Sequence, residues 1–129
     1  MQKIKFGTDG WRAIIAKEFT VENVARVSEA TGKWLLKNYD NPTVFVGHDC
    51  RFAGALFMET SVKVFLSQGL NVRMSEGFVS TPMVSLAANR FNCQIGVVLT
   101  ASHNPPSYNG YKLKADFGGP LAPEHVQEV

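Results

Sequence analysis

TVFVGHDCRFAGALFMETSVKVFLSQGLNVRMS, residues 43–75, decides the fold. Thr43 to Asp49 is a β-branched and aromatic run ending around Gly47, the pattern of a buried strand. From about Gly54 to Gln68 the period changes. Ala55, Met58, Val62, Phe65 and Leu66 fall on one side of a helix, and Gly69 closes it. Leu70 to Ser75 then has the length and alternation of a second strand. A strand, a helix and a strand in this order form a right-handed crossover, which makes the two strands parallel.

The alternation extends in both directions. Upstream, Ile4 to Phe6 reads as a short strand entering the loop GTDGWR. A helix follows from about Thr20 to Tyr39, with Thr20 as its N-cap. Val21, Val24, Val27, Thr31, Trp34 and Leu35 recur along it at three- and four-residue steps, and Asn41-Pro42 stops it. Downstream, Thr81-Pro82 opens a third helix, with threonine at the cap and proline in the first turn, running to about Arg90. Gln94 to Thr100, QIGVVLT, is the apolar run of a central parallel strand. Tyr111 to Ala115 is one more strand, and PEHVQEV from Pro123 begins a last helix. The expected fold is α/β: a three-layer α/β/α sandwich around a mixed, mostly parallel sheet of about four strands. Trp11, Trp34, Phe45 and Phe65 are expected to pack in its core.

The 129 residues suit one domain, 1–129, with 45% hydrophobic and 19% charged residues as in ordinary globular proteins. A formal net charge of +2, with no run of Lys or Arg, argues against a nucleic-acid partner. Cys50 and Cys93 lack the spacing of a zinc site or a disulfide framework and fit a reducing cytoplasm. The opening MQKIKFGTDG lacks the apolar core of a signal peptide, and no apolar run approaches a membrane span. A soluble protein is expected. Ending on an open helical pattern, the chain reads as a fragment.

In open α/β sheets, ligands gather beyond the carboxyl ends of the strands. Three segments are expected there: Thr8 to Arg12, His48 to Arg51, and Thr100 to Asn109. The third opens TASHNPPSYNGYK, residues 100–112, which is built around Ser102. Ser-His-Asn-Pro also favours turns for backbone reasons alone, so Ser102 is a nucleophile, a phosphate carrier or a turn residue. A hydrolase-type pair cannot be read from the adjacency of His103, and no GxSxG elbow is present. A phosphate carrier needs flexible backbone, cations and commonly a divalent metal. Gly110, Lys112 and Arg12 supply the first two, whereas no acidic cluster supplies oxygen ligands for the third. Arg12 has a structural alternative in an ion pair with Asp9.

TASHNP with NGYK after it, together with GTDGWR and GHDCR, resembles the α-D-phosphohexomutase superfamily. That superfamily comprises phosphoglucomutases, phosphomannomutases and phosphoglucosamine mutases. The resemblance spans the chain but covers only the first of the family's four domains. It implies that Ser102 is a phosphoserine that donates its phosphoryl group to a hexose phosphate. The hexose 1,6-bisphosphate so formed reorients and returns the other phosphoryl group. It also implies that Ser102, through its phosphate, ligates Mg²⁺, the remaining ligands lying outside this chain. Arg12 and Lys112 match basic residues near the phosphoserine, and His103 a histidine assisting proton transfer or orientation. Asp49 and Arg51 match an element read as supporting the loop. The substrate expected from YNGYK is a glucose or mannose phosphate. Two other readings stand beside this one: a phosphate- or sugar-phosphate-binding module without catalysis, and an acyl-transfer serine hydrolase.

Overall fold

The structure, a computed structural model, describes residues 3–129. In chain order the elements are β1 (Trp11–Ile14), α1 (Val21–Asn38), β2 (Thr43–His48), α2 (Gly54–Ser67), β3 (Asn71–Met74), α3 (Thr81–Arg90), β4 (Ile95–Leu99), β5 (Tyr108–Ala115) and α4 (Pro123–Glu128). The strands form one sheet in the order β1-β5-β4-β2-β3. β2 pairs in parallel with β3 and β4, while β5 pairs antiparallel with β4 and with β1. Four strands thus run one way and β5 alone runs against them. The sheet is mixed and mostly parallel in direction, as expected, but it has five strands rather than about four.

The strand at this edge of the sheet comes from a segment read as loop, in place of the one expected just upstream. Ile4 to Phe6 form no strand; the first strand is Trp11–Ile14. Burial is the reason. Trp11 and Ala13 point into the core, and the Trp11 ring stacks on that of fully buried Phe19 at 4.5 Å. β5 is correspondingly longer than expected. It begins at Tyr108, because Arg12 pairs with Gly110 and Ala13 with Asn109. An Asn-Gly dipeptide that favours turns is held in a ladder by its partner across the sheet.

α1 and α2 cover one face. Val24, Val27, Leu35, Phe57 and Phe65 pack there against Val44, Val46, Ile95, Val97, Leu99 and Tyr111. Each fully buried large apolar side chain contributes roughly 1.5–3 kcal/mol, so this face dominates stability. Thr20 caps α1 as expected, its hydroxyl accepting from Asn23 N at 3.2 Å. The other face is covered by α3 through Val84 and Ala88, which meet Phe45 and Val98. α3 sits close because glycines lie beneath it. A Cβ on Gly96 would be 3.1 Å from Val84 Cγ1, and one on Gly47 would be 3.1 Å from Val84 Cγ2. The cap of α3 is Ser80 rather than Thr81, its Oγ accepting from Met83 N at 3.4 Å; Pro82 remains in the first turn. α4 rests against α1, where Trp34 Nε1 donates to Glu128 Oε2 at 2.7 Å. Among the described residues, no helix is long and apolar enough to cross a membrane.

Candidate functional site

The loop between β4 and β5 is tethered by several side-chain hydrogen bonds. Arg51 does most of this. Its Nη1 donates to the carbonyls of Pro105 (2.8 Å) and Tyr108 (3.0 Å), and its Nη2 to those of Ser102 (2.8 Å) and Asn104 (2.7 Å). One planar fork thereby holds four carbonyls of the loop and of its entry into β5. Asp49 supports the same loop from the other side. Its Oδ2 accepts from Thr100 Oγ1 at 2.5 Å and its Oδ1 from Arg51 N at 3.0 Å, and Arg51 Nε lies 3.7 Å from Oδ2. Thr100 Oγ1 in turn accepts from Ser102 N at 3.1 Å. The supporting role expected of Asp49 and Arg51 is what the geometry gives them, with Thr100 as an unforeseen third member.

Ser102 stands exposed at the tip of this frame with φ +55°, in the left-handed region that L-residues rarely occupy. Such strain persists only where the surroundings over-determine the backbone, as the tethers at Ser102 N and O do here. Its Oγ is 3.5 Å from His103 Nδ1, the outer limit of a hydrogen bond.

Arg12 reaches the loop from β1. Its Nη1 donates to Asn104 Oδ1 at 2.9 Å, while its Nη2 lies 3.8 Å from Asp9 Oδ2, so the expected ion pair coexists with the approach to the loop. The segment Thr8 to Arg12, however, does not leave the carboxyl end of a strand. It leads into the amino end of β1, and Arg12 joins the site through the length of its side chain. Lys112 is 4% exposed, and its ammonium lies 2.9 Å from Asp9 Oδ2. It is thus connected to Asn104, in the loop that carries Ser102, through Asp9 and Arg12. Two residues were not foreseen: Asp9 as the shared counter-ion, and Lys114, 3.5 Å from Asp9 Oδ1. The alternation in YKLK, which puts Lys112 and Lys114 on one face, was the available signal.

Partial burial pushes the Asp9 carboxyl up, but the hydrogen bond and charge of Lys112, joined by Lys114, outweigh it and leave the group below its ordinary value. Beside these groups runs an open groove of about 530 Å³, lined in part by Lys5, Asp9, Arg12, His103 and Asn104. A groove of about 590 Å³ lies elsewhere, against Ile4, Phe6, Val27 and Val126. Among the described residues, no group of three or more His, Cys, Asp or Glu could hold a metal ion. Asp9 and Asp49 are both engaged by cations or hydroxyl, so this chain's own residues do not make a Mg²⁺ site.

Residues 3–129 match the family described as phosphoglucomutase/phosphomannomutase, alpha/beta/alpha domain I. A phosphoglucomutase/phosphomannomutase of Thermococcus kodakarensis is 39% identical over 120 residues, covering 92% of this chain and 26% of the relative. A phosphoglucosamine mutase of Bacillus cereus is 37% identical over 124 residues, covering 96% and 28%. A crystal structure of a putative phosphomannomutase from Thermus thermophilus superposes with a TM-score of 0.94 at 42% identity, covering 97% of this chain and 28% of that one. The chain spans about a quarter of the length of the curated relatives it matches.

Proposed function

The chain belongs to the phosphoglucomutase/phosphomannomutase family as its α/β/α domain I, and on that premise we propose that Ser102 carries the phosphoryl group in an intramolecular phosphotransfer between C1 and C6 of a hexose phosphate. The observation that carries this reading is the exposed hydroxyl of Ser102 on a strained backbone that Arg51 and Thr100 hold from both sides. In the forward half-reaction, a sugar hydroxyl oxygen attacks the phosphorus of phosphorylated Ser102. The P–O bond to Ser102 breaks, the new bond forms a hexose 1,6-bisphosphate, and the proton lost by the sugar ends on Ser102 Oγ. The bisphosphate turns over, and its other phosphoryl group returns to Ser102 by the reverse steps.

Positioning and charge stabilisation dominate such transfers, because the transition state spreads negative charge over the phosphoryl oxygens. Arg12 and Lys112 supply positive charge from the Asp9 cluster, and Arg12 is already fixed to the loop through Asn104. His103, whose Nδ1 faces the Ser102 hydroxyl, relays or orients its proton. Phosphorylated Ser102 would offer an oxygen to Mg²⁺, which would neutralise charge on the phosphoryl group, its remaining ligands being expected outside these 129 residues. Turnover needs sites beyond this domain, which covers about a quarter of its relatives' length. Glucose or mannose phosphate is the substrate we favour, although one relative's name carries glucosamine. Free Cys50 and Cys93 accord with a cytoplasmic setting.

A chase experiment tests the reading. The protein is loaded with labelled phosphoryl from a hexose 1,6-bisphosphate and then exposed to unlabelled hexose 6-phosphate. Label returning to sugar as bisphosphate supports transfer, whereas reversible sugar-phosphate binding with no covalent label favours the non-catalytic module.

A further inference from the structure

β5 carries a second lysine that this mechanism does not use. Lys112 and Lys114 alternate onto one face of the strand and are 4% and 6% exposed. An ammonium buried without a partner is strongly unfavourable. Both are drawn to Asp9, but to different oxygens: Lys112 to Oδ2 at 2.9 Å and Lys114 to Oδ1 at 3.5 Å. Arg12 Nη2 is the third cation, 3.8 Å from Oδ2, and Lys5 lines the adjoining groove. Three cations sharing one carboxylate leave two positive charges uncompensated within the cluster. A phosphate monoester brings about −1.5 to −2 charges, which is what the cluster lacks.

The difficulty lies in Asp9 itself. When a phosphoryl group draws Lys112 and Arg12 toward Ser102, a carboxylate held only by those two would be released beside the phosphate and repel it. We propose that Lys114 is a positioning residue for the transfer: it retains the Asp9 carboxylate by its second oxygen while Lys112 and Arg12 turn to the phosphoryl group on Ser102. The inference rests on the phosphoserine reading above.

The test uses Lys114→Met and Lys114→Arg, alone and combined with Asp9→Asn. Two quantities are followed: the ¹³C NMR titration of the Asp9 carboxyl, and the rate at which Ser102 is phosphorylated by a hexose 1,6-bisphosphate. The Asp9 midpoint rises in Lys114→Met and returns in Lys114→Arg. The loading rate falls by roughly tenfold to a hundredfold in Lys114→Met, the range expected when a reacting group is misplaced, and recovers in Lys114→Arg. On the Asp9→Asn background, Lys114→Met has little further effect, since the two act as a unit. An unmoved Asp9 titration overturns the proposal. So does unchanged loading in Lys114→Met beside a wild type that loads. If the wild type itself does not load, the phosphoserine reading fails first and the inference with it. Should Lys114→Met not fold, Lys114→Gln takes its place: a raised Asp9 midpoint with slowed loading supports the proposal, and the absence of either change overturns it.

Discussion

Arg51 and Ser102 are 51 positions apart in sequence, and Arg51 Nη2 donates to the Ser102 carbonyl at 2.8 Å. That bond fixes the peptide immediately after the proposed phosphate carrier to the loop that follows β2. It is one of four that a single guanidinium makes to this loop.

Replacing Arg51 with lysine keeps the charge and loses the fork. An ammonium on a flexible stem cannot meet four carbonyls in a plane, so the loop loosens. Arg51→Lys is expected to lower unfolding stability by about 2–3 kcal/mol, the scale of losing one or two charge-assisted hydrogen bonds. Urea denaturation measures this. A loss below about 0.5 kcal/mol would mean that water replaces the bonds and that the loop does not depend on Arg51.

The strain at Ser102 gives a second expectation. With φ +55°, any L-side chain there opposes the backbone, and glycine does not. Ser102→Gly should therefore be more stable than Ser102→Ala by about 0.5–1 kcal/mol, although both lack the hydroxyl. Equal midpoints in thermal melts would show that the left-handed conformation is not populated in solution.

Gly110 has no room for a side chain. A Cβ there would lie 2.3 Å from Thr100 O and 2.9 Å from Trp11 O, both backbone atoms in the ladders on either side. Gly110→Ala must separate β5 from β1 or β4, costing about 3 kcal/mol or more. Loss of amide protection at Ala13 and Thr100 in hydrogen exchange is the matching signature; intact protection would contradict the pairing of β1 with β5.

Tyr111 supplies a pH dependence. Burial pushes its hydroxyl up to about 12, while bonds within the Ser28, Thr31 and Ser61 cluster oppose the shift. The folded chain thus holds this proton more tightly than the unfolded chain. The stability involved is fully present below the ordinary value of 10 and is lost as pH rises through about 12. Tyr111→Phe removes the titration and a hydroxyl bonded to Ser28 at 3.1 Å. The variant should be less stable by about 1 kcal/mol at neutral pH, and the gap should close or invert in strongly alkaline urea melts. A gap independent of pH would place the hydroxyl in contact with water.

Much of this was legible in the chain itself, for physical reasons that differ by element. β2, α2, β3 and β4 are governed by local periodicity and burial, and their positions follow within a residue or so. β1 is governed by a partner nearly a hundred residues away. WRAI is too short for its alternation to stand out, and it becomes a strand only because Trp11 finds Phe19 and the backbone finds Tyr108–Tyr111. The extension of β5 through Asn109 and Gly110 has the same origin. Among site residues, Ser102, His103, Arg12 and Lys112 come from one compact motif and one distant one. Asp9 and Lys114 escape because a shared counter-ion is a property of three segments brought together. Nothing local in GTDGWR says that Asp9 meets two buried lysines.

The central claim is that Ser102 Oγ is the resting place of the migrating phosphoryl group. Tandem mass spectrometry of the peptide containing residues 100–112, after incubation with a hexose 1,6-bisphosphate, addresses it directly. One phosphoryl group is expected on Ser102, absent in Ser102→Ala and removed by subsequent hexose 6-phosphate. A phosphoryl group on Ser107 or Thr100 instead, or one that survives the Ser102→Ala substitution, contradicts it.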